Sequence, residues 1–376
     1  MRSSWRARMQ DKNSRIISRL AGEGFCVVGG MATSAKFLLV AGLSGAIAWW
    51  TYRKRCARQR PANREGPVEG DNQRLTSPLH GSTPEEIENY VKSVGKKEPH
   101  KLESLFAICK SPGSRDLLTD VLLRQVLKKM ADILSHSPAK PRFLAALIEH
   151  CLGLIAARPD VASEAADVVM EAARDKLRHG VDVSDLAIAE IVKLLGDQKL
   201  STSLAQRLLR AVFYLAASKE NATRMPLTAL LAAVAAHRNS NGVLIDGLNA
   251  LTTVLANTTA EISDLQRESI WAEAFSIAKT SDNAEAIWRA LDVLITLKTG
   301  DETVMSHAQI EEATQLSFAA LARHGVKHRQ VAERALKFLV MMNADVAANK
   351  DSVDAVVAAH AKTVPAIPLY AKQLNR

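Results

Sequence analysis

Aromatic residues are scarce in this 376-residue chain, at 5%, and there are only four cysteines. Those four, Cys26, Cys56, Cys109 and Cys151, form no CxxC pair and no disulfide-like framework, which fits a reducing compartment. No GxxxxGK[ST] or GxGxxG loop is present to cradle phosphates, and no HExxH to hold a metal. No run alternates apolar and polar residues as a half-buried strand does, so a sheet is not expected. The histidines are scattered. His324 and His328, four apart, are the one pair with ligand spacing, but Gly325 between them points to a helix end and a solvated corner. No convergent polar set suggests catalysis. The chain is therefore not read as an enzyme, and no cofactor, metal or small-molecule substrate is expected.

Charge is present but unevenly placed. The net charge is +9, from 49 Lys and Arg against 40 Asp and Glu. Residues 1–64 hold 13 Lys and Arg against Asp11 and Glu23, a balance of +11, so the remainder stands at −2. A nucleic-acid-binding body would itself be basic. No nucleic-acid partner is expected.

The uncharged run Phe37 to Tyr52, FLLVAGLSGAIAWWTY, organises this basic region. It extends back to Phe25 if Lys36 snorkels. Trp49, Trp50 and Tyr52 at one end, with Arg53, Lys54 and Arg55 just beyond, mark the interface of a membrane helix rather than a buried core helix. The flank 53–72 carries six Lys and Arg against two in 17–36, which predicts a cytosolic body. Cys56 follows the span at a position suited to palmitoylation. Cys109 and Cys151 fall in helical apolar patterns and read as core.

Four segments follow: residues 1–24 a basic amphipathic tail, 25–52 a transmembrane anchor, 53–83 a basic then polar flexible linker, and 84–376 a helical body. The Arg- and Ser-rich, acid-poor tail has the composition of a mitochondrial targeting segment, with an unstructured basic tail as the alternative. The linker ends at Thr83, which is placed to cap a helix with Pro84 in its first position. Beyond it, apolar spacing of three and four recurs in ten stretches: Leu117–Leu134, Phe143–Ile155, Ala165–Ala173, Leu186–Leu195, Leu204–Leu215, Val243–Leu255, Leu265–Ile277, Ala284–Leu297, Ala308–Leu321 and Val331–Met341. Asn239–Asn241 reads as a break, with Asn241-Gly242 between helices. Asn221 and Asn257 head glycosylation sequons that a cytosolic body would leave unused.

The body also repeats itself. Arg210-Ala211-Val212-Phe213-Tyr214-Leu215 returns at Asn249, Arg289 and Arg334, and the shared alanines, Ala211, Ala250, Ala290 and Ala335, are 39, 40 and 45 residues apart. Periods near 40 belong to the armadillo and HEAT class. Residues Ala187–Leu195 followed by Leu204–Asn221 resemble the second and third helices of an armadillo repeat. The fold class expected is an all-α, right-handed armadillo/HEAT-like solenoid behind a single membrane helix. The layout resembles the membrane-anchored armadillo proteins of the mitochondrial outer membrane, the Alex-type group.

That resemblance implies a scaffold or adaptor holding cytosolic protein partners at an organelle surface. The mitochondrial outer membrane is the first choice, with the endoplasmic reticulum or another membrane as alternatives. A second function is an armadillo-type chaperone cofactor that promotes nucleotide exchange on Hsp70. In peptide-binding armadillo proteins the third helix carries Trp and, four residues on, Asn. The matching pairs here are Arg210/Tyr214, Asn249/Thr253, Arg289/Val293 and Arg334/Phe338, which disfavours an import receptor for basic peptides. These eight residues are the expected groove. Its row of arginines suggests an acidic segment as partner, with a solvated ridge as the plain alternative and Asp292 offsetting part of the charge beside Arg289.

Overall fold

The computed structural model describes residues 83–374, apart from 111–117, 138, 180–181, 198 and 300–306. All described residues fall within one compact unit. Among them every regular element is helical. The basic tail, the anchor, Cys56 and the linker up to residue 82 lie outside the described residues. Among the described residues no helix is long and apolar enough to cross a membrane.

Local chemistry sets where each helix starts. Thr83 accepts a hydrogen bond from Glu86 N while the Glu86 side chain accepts from Thr83 N, so α1, Pro84–Ser93, opens on a capping box with proline in its first turn. Helices α2, His100–Lys110, α3, Asp120–His136, and α4, Pro141–Ala157, follow. A single 3₁₀ turn, Pro159–Val161, leads into α5, Ala162–His179. Serine caps four of the next five helices: α6, Asp185–Leu195, α7, Thr202–Leu215, α8, Lys219–Arg224, and α10, Asn241–Asn257. The exception is α9, Leu227–Ala236, entered through Pro226. The Ser240 cap places Asn241 and Gly242 in the first turn of α10, so the dipeptide expected to lie between helices opens one. Likewise α7 ends at Leu215, and Asn221 belongs to α8, not to a longer third helix.

The remaining helices are α11, Asp264–Thr280, α12, Ala284–Thr299, α13, His307–Ala320, α14, Arg329–Met341, α15, Lys350–His360, and α16, Ala366–Leu374. A π-helical turn, Leu321–Gly325, extends α13. Helix α14 stops at Asn343, which takes the left-handed conformation at φ 54°. There Ala344 N donates to Leu339 O and Asn343 N to Val340 O, the paired bonds that close a helix C-terminus.

These helices stack in two layers. In the first layer, α1, α3, α5, α7, α10, α12, α14 and α16 each pack on the one before and after. In the second, α2, α4, α6, α9, α11 and α13 do the same. The interface between layers is the core. Ala211, Ala250, Ala290 and Ala335 are all fully buried, so the repeated alanines belong to the packed core at equivalent places along the first layer.

Polar bridges repeat the same spacing. Arg124 donates to Asp160 O 36 residues on, and Gln206 reaches Asp246 40 residues on. Asn257 donates to Ala216 O across 41 residues, and Arg323 to Asp282 across 41. Asn221 is fully buried and bonded through both ends of its amide: the nitrogen donates to Leu215 O, and the oxygen accepts from Val183 N and Arg224. The molecule is an all-α, repeat-like array in which neighbours along each layer are tied at one-repeat separations.

Candidate functional site

The arginine row lies along the first layer, one residue before each buried alanine. Burial of that alanine leaves the preceding position half-exposed on every helix: Arg210 on α7, Asn249 on α10, Arg289 on α12 and Arg334 on α14 are all partly accessible. The second members of the four pairs do not share one environment. Tyr214 and Thr253 are half-buried, whereas Val293 and Phe338 are fully buried and belong to the core. Phe338 faces the ring of Trp271 at 6.0 Å. The expectation that all four line a groove therefore fails at Val293 and Phe338. Both are large apolar side chains that gain more from the layer interface than from water.

Each arginine meets a different electrostatic environment. Arg210 donates from Nε and Nη2 to the two carboxylate oxygens of Asp246, at 3.1 and 2.8 Å. Asp246 is buried at 6% exposure and is held from a second side by Gln206 Nε2 at 3.0 Å. That fork-to-fork contact raises the Arg210 pKa, the hydrogen bond to Asp246 being the largest cause. Arg334 approaches Asp292 through Nε at 2.6 Å, without the alignment of a hydrogen bond, and donates from Nη1 to Glu333 at 3.3 Å. Asp292 thus pairs with Arg334, one helix further on. Asp292 therefore offsets part of the row's charge as expected, chiefly at Arg334 and at longer range at Arg289. Desolvation pushes the Asp292 pKa up, against the pull of Arg334. Burial also pushes the Lys337 amine down, and Arg334 adds to it.

Arg289 is different. Its guanidinium carbon lies 3.6 Å from the centroid of the Trp288 ring, and its side chain is 29% exposed. The nearest carboxylate oxygen, on Glu285, stands 3.8 Å from Nη2, beyond hydrogen-bond reach. Its Nε is buried without a partner. Desolvation lowers its pKa, opposed by Glu285 and Asp292. The face as a whole mixes both signs: Glu171, Asp246, Glu285, Asp292 and Glu333 stand among its arginines. Sequence reading found the row and Asp292; Glu285 and Glu333 lie on the arginines' own helices, while the pairing of Asp246 with Arg210, across 36 residues, is one that no local pattern displays.

On the second layer, α11, α13 and the π-turn border a cleft of about 320 Å³ floored by Ala278, Ile287 and Leu316. His324 stands at its edge, with its ring 6.0 Å from that of His328. Desolvation, with help from Arg323 and His328, holds the His324 pKa below the usual imidazole range. Among the described residues no group of three His, Cys, Asp or Glu is placed to hold a metal.

No protein-family model matches the chain, and no curated protein matches it. Among solved structures, the crystal structure of an engineered protein from a structural genomics consortium is similar at 15% identity. The match covers 73% of this chain and 94% of that one, with a TM-score of 0.36. So loose a likeness bears on neither fold nor function.

Proposed function

We propose that this chain is a membrane-anchored, armadillo/HEAT-like solenoid that acts as an adaptor, holding protein partners at an organelle surface. The observation that carries the reading is the first layer. Its helices α7, α10, α12 and α14 present successive half-exposed positions along one face, and each packs on the next, which is how a repeat array builds an extended binding surface. The aromatic-ended apolar run at residues 37–52, with six basic residues after it, supports a single membrane helix and a cytosolic body. The mitochondrial outer membrane is the favoured site, on the short span and the basic flank. The layout resembles the Alex-type membrane-anchored armadillo proteins in the same sense.

The experiment joins targeting to partner capture. A fluorescent fusion of residues 1–64 is expected to enter a membrane and resist carbonate extraction. The full chain, fused to a proximity-labelling enzyme, is expected to mark cytosolic proteins that are lost when residues 84–376 are removed. A soluble fusion overturns the anchor, and a labelled set that survives loss of the body overturns the adaptor.

A further inference from the structure

Among the described residues Arg289 has a carboxylate near it, Glu285 on its own helix at 3.8 Å, but no hydrogen bond to one. Its two counterparts show where one would come from. Arg210 takes its acid from the next helix of the layer: Asp246 stands three residues before Asn249, the position equivalent to Arg210. Arg334 takes its acid from the previous helix: Asp292 stands three residues after Arg289, the position equivalent to Arg334. The same two places around Arg289 are Val331 on α14 and Thr252 on α10. Val331 is fully buried and apolar, and Thr252, whose hydroxyl donates to Leu248 O, offers a neutral hydroxyl oxygen and no carboxylate. Neither supplies the carboxylate that Asp246 and Asp292 supply to the other two arginines. Asp246 and Asp292, which also act on Arg289 electrostatically, are already committed to Arg210 and Arg334.

What remains is a guanidinium that makes no hydrogen bond among the described residues, faces Glu285 only at 3.8 Å, is half-withdrawn from water and lies on an indole. Such a group is pre-positioned for a planar, two-oxygen acceptor, because the ring fixes its plane and partial burial strengthens the contact. The adjacent Asn249 side chain makes no hydrogen bond among the described residues, and its amide adds a donor on the same face.

From this geometry we infer that Arg289 receives a carboxylate in trans, from an Asp or Glu side chain of the protein partner, with Trp288 as the apolar ledge for that side chain's methylenes. The inference rests on the adaptor reading and narrows it. The earlier expectation of three equivalent arginines becomes one open position between two closed ones, and the partner is anchored by a single acid rather than by a run of them.

Supplying the missing acid in cis tests this. In the full chain, Thr252→Asp places a carboxylate where Asp292 stands relative to Arg334. It is expected to raise the melting temperature by about 2 °C, and to lose that gain when combined with Arg289→Gln. A short fluorescein-labelled poly-glutamate peptide is expected to bind the native chain at least about tenfold more tightly than its poly-glutamine counterpart, as read by anisotropy. Arg289→Gln and Thr252→Asp should each erase that preference, and Arg210→Gln should keep it. Equal binding of the two peptides, or a preference that survives Arg289→Gln, overturns the inference. So does a Thr252→Asp variant with no Arg289-dependent gain, since the register argument then fails. None of these outcomes touches the adaptor reading, which stands or falls on the labelling experiment above.

Discussion

Asp246 on α10 is gripped by Arg210 and Gln206 of α7, both one repeat earlier, and it is the most deeply buried acid of the first-layer face. Three donors converge on one carboxylate, which offsets the cost of taking it out of water. The bridge fixes the spacing between adjacent repeats as well as their register.

Removing that acid should loosen the joint. Asp246→Ala is expected to cost about 2 kcal/mol in chemical denaturation, below the full penalty for a buried ion pair because Arg210 is 41% exposed and water can take over its donors. The double variant Arg210→Met with Asp246→Leu should recover most of the loss. A double-mutant cycle with no coupling energy would make the contact incidental.

Two interior helical glycines should respond to alanine with opposite signs. Gly153 on α4 is exposed, and a Cβ there meets nothing within 4 Å, so Gly153→Ala should stabilise by up to about 1 kcal/mol. At Gly247 on α10 a Cβ would sit 2.3 Å from Cγ2 of Val234, in the core between α9 and α10. Gly247→Ala should destabilise by about 1–2 kcal/mol despite the better helix propensity. Thermal melts of the two variants, side by side, give the comparison.

Asn343 holds the left-handed position that ends α14. Asn343→Ala should cost about 1 kcal/mol, since alanine tolerates that backbone less well, while Asn343→Gly should cost less than alanine does. Equal losses for the two would mean that the Asn side chain, and not the backbone angle, matters there.

Cys109 and Cys151 should be chemically silent in the native chain. Burial pushes the Cys109 thiol up to about 12 and raises Cys151 well above its usual value, so at pH 8 almost no thiolate exists at either. Mass spectrometry after maleimide treatment should find both unmodified until denaturant is added. Labelling of either in the native chain would contradict its burial.

The regular helices were legible because their apolar period is strong. The stretch Ala284–Leu297 is α12 to within two residues, and Leu204–Leu215 differs from α7 by two at its start. Short or unusual helices were harder. Helix α8 is a single polar turn and a half, fixed by the Ser218 cap and the buried Asn221, and so it has no period to read. Helix α9, LTALLAAVAA, is apolar almost all round, which hides the face that a period would reveal. At the site, the equivalence of Arg210, Asn249, Arg289 and Arg334 followed from the alanines beside them. Their partners did not. Arg210 reaches forward along the layer and Arg334 backward, and a choice between two such registers is made by packing.

The long polar bridges named above join a helix to the adjoining repeat, either to a helix of the same layer or to the turn that leads into or out of one. Stability built in that way is passed on locally, so the body should open from its ends as a zipper does rather than in one step, with amide exchange quickest at α1 and α16 and slowest near α7 and α10. A partner segment laid across several first-layer helices would then act as a splint. Its signature in a calorimeter would be a sharpened transition as much as a higher midpoint, because units that had melted separately would be held to melt together.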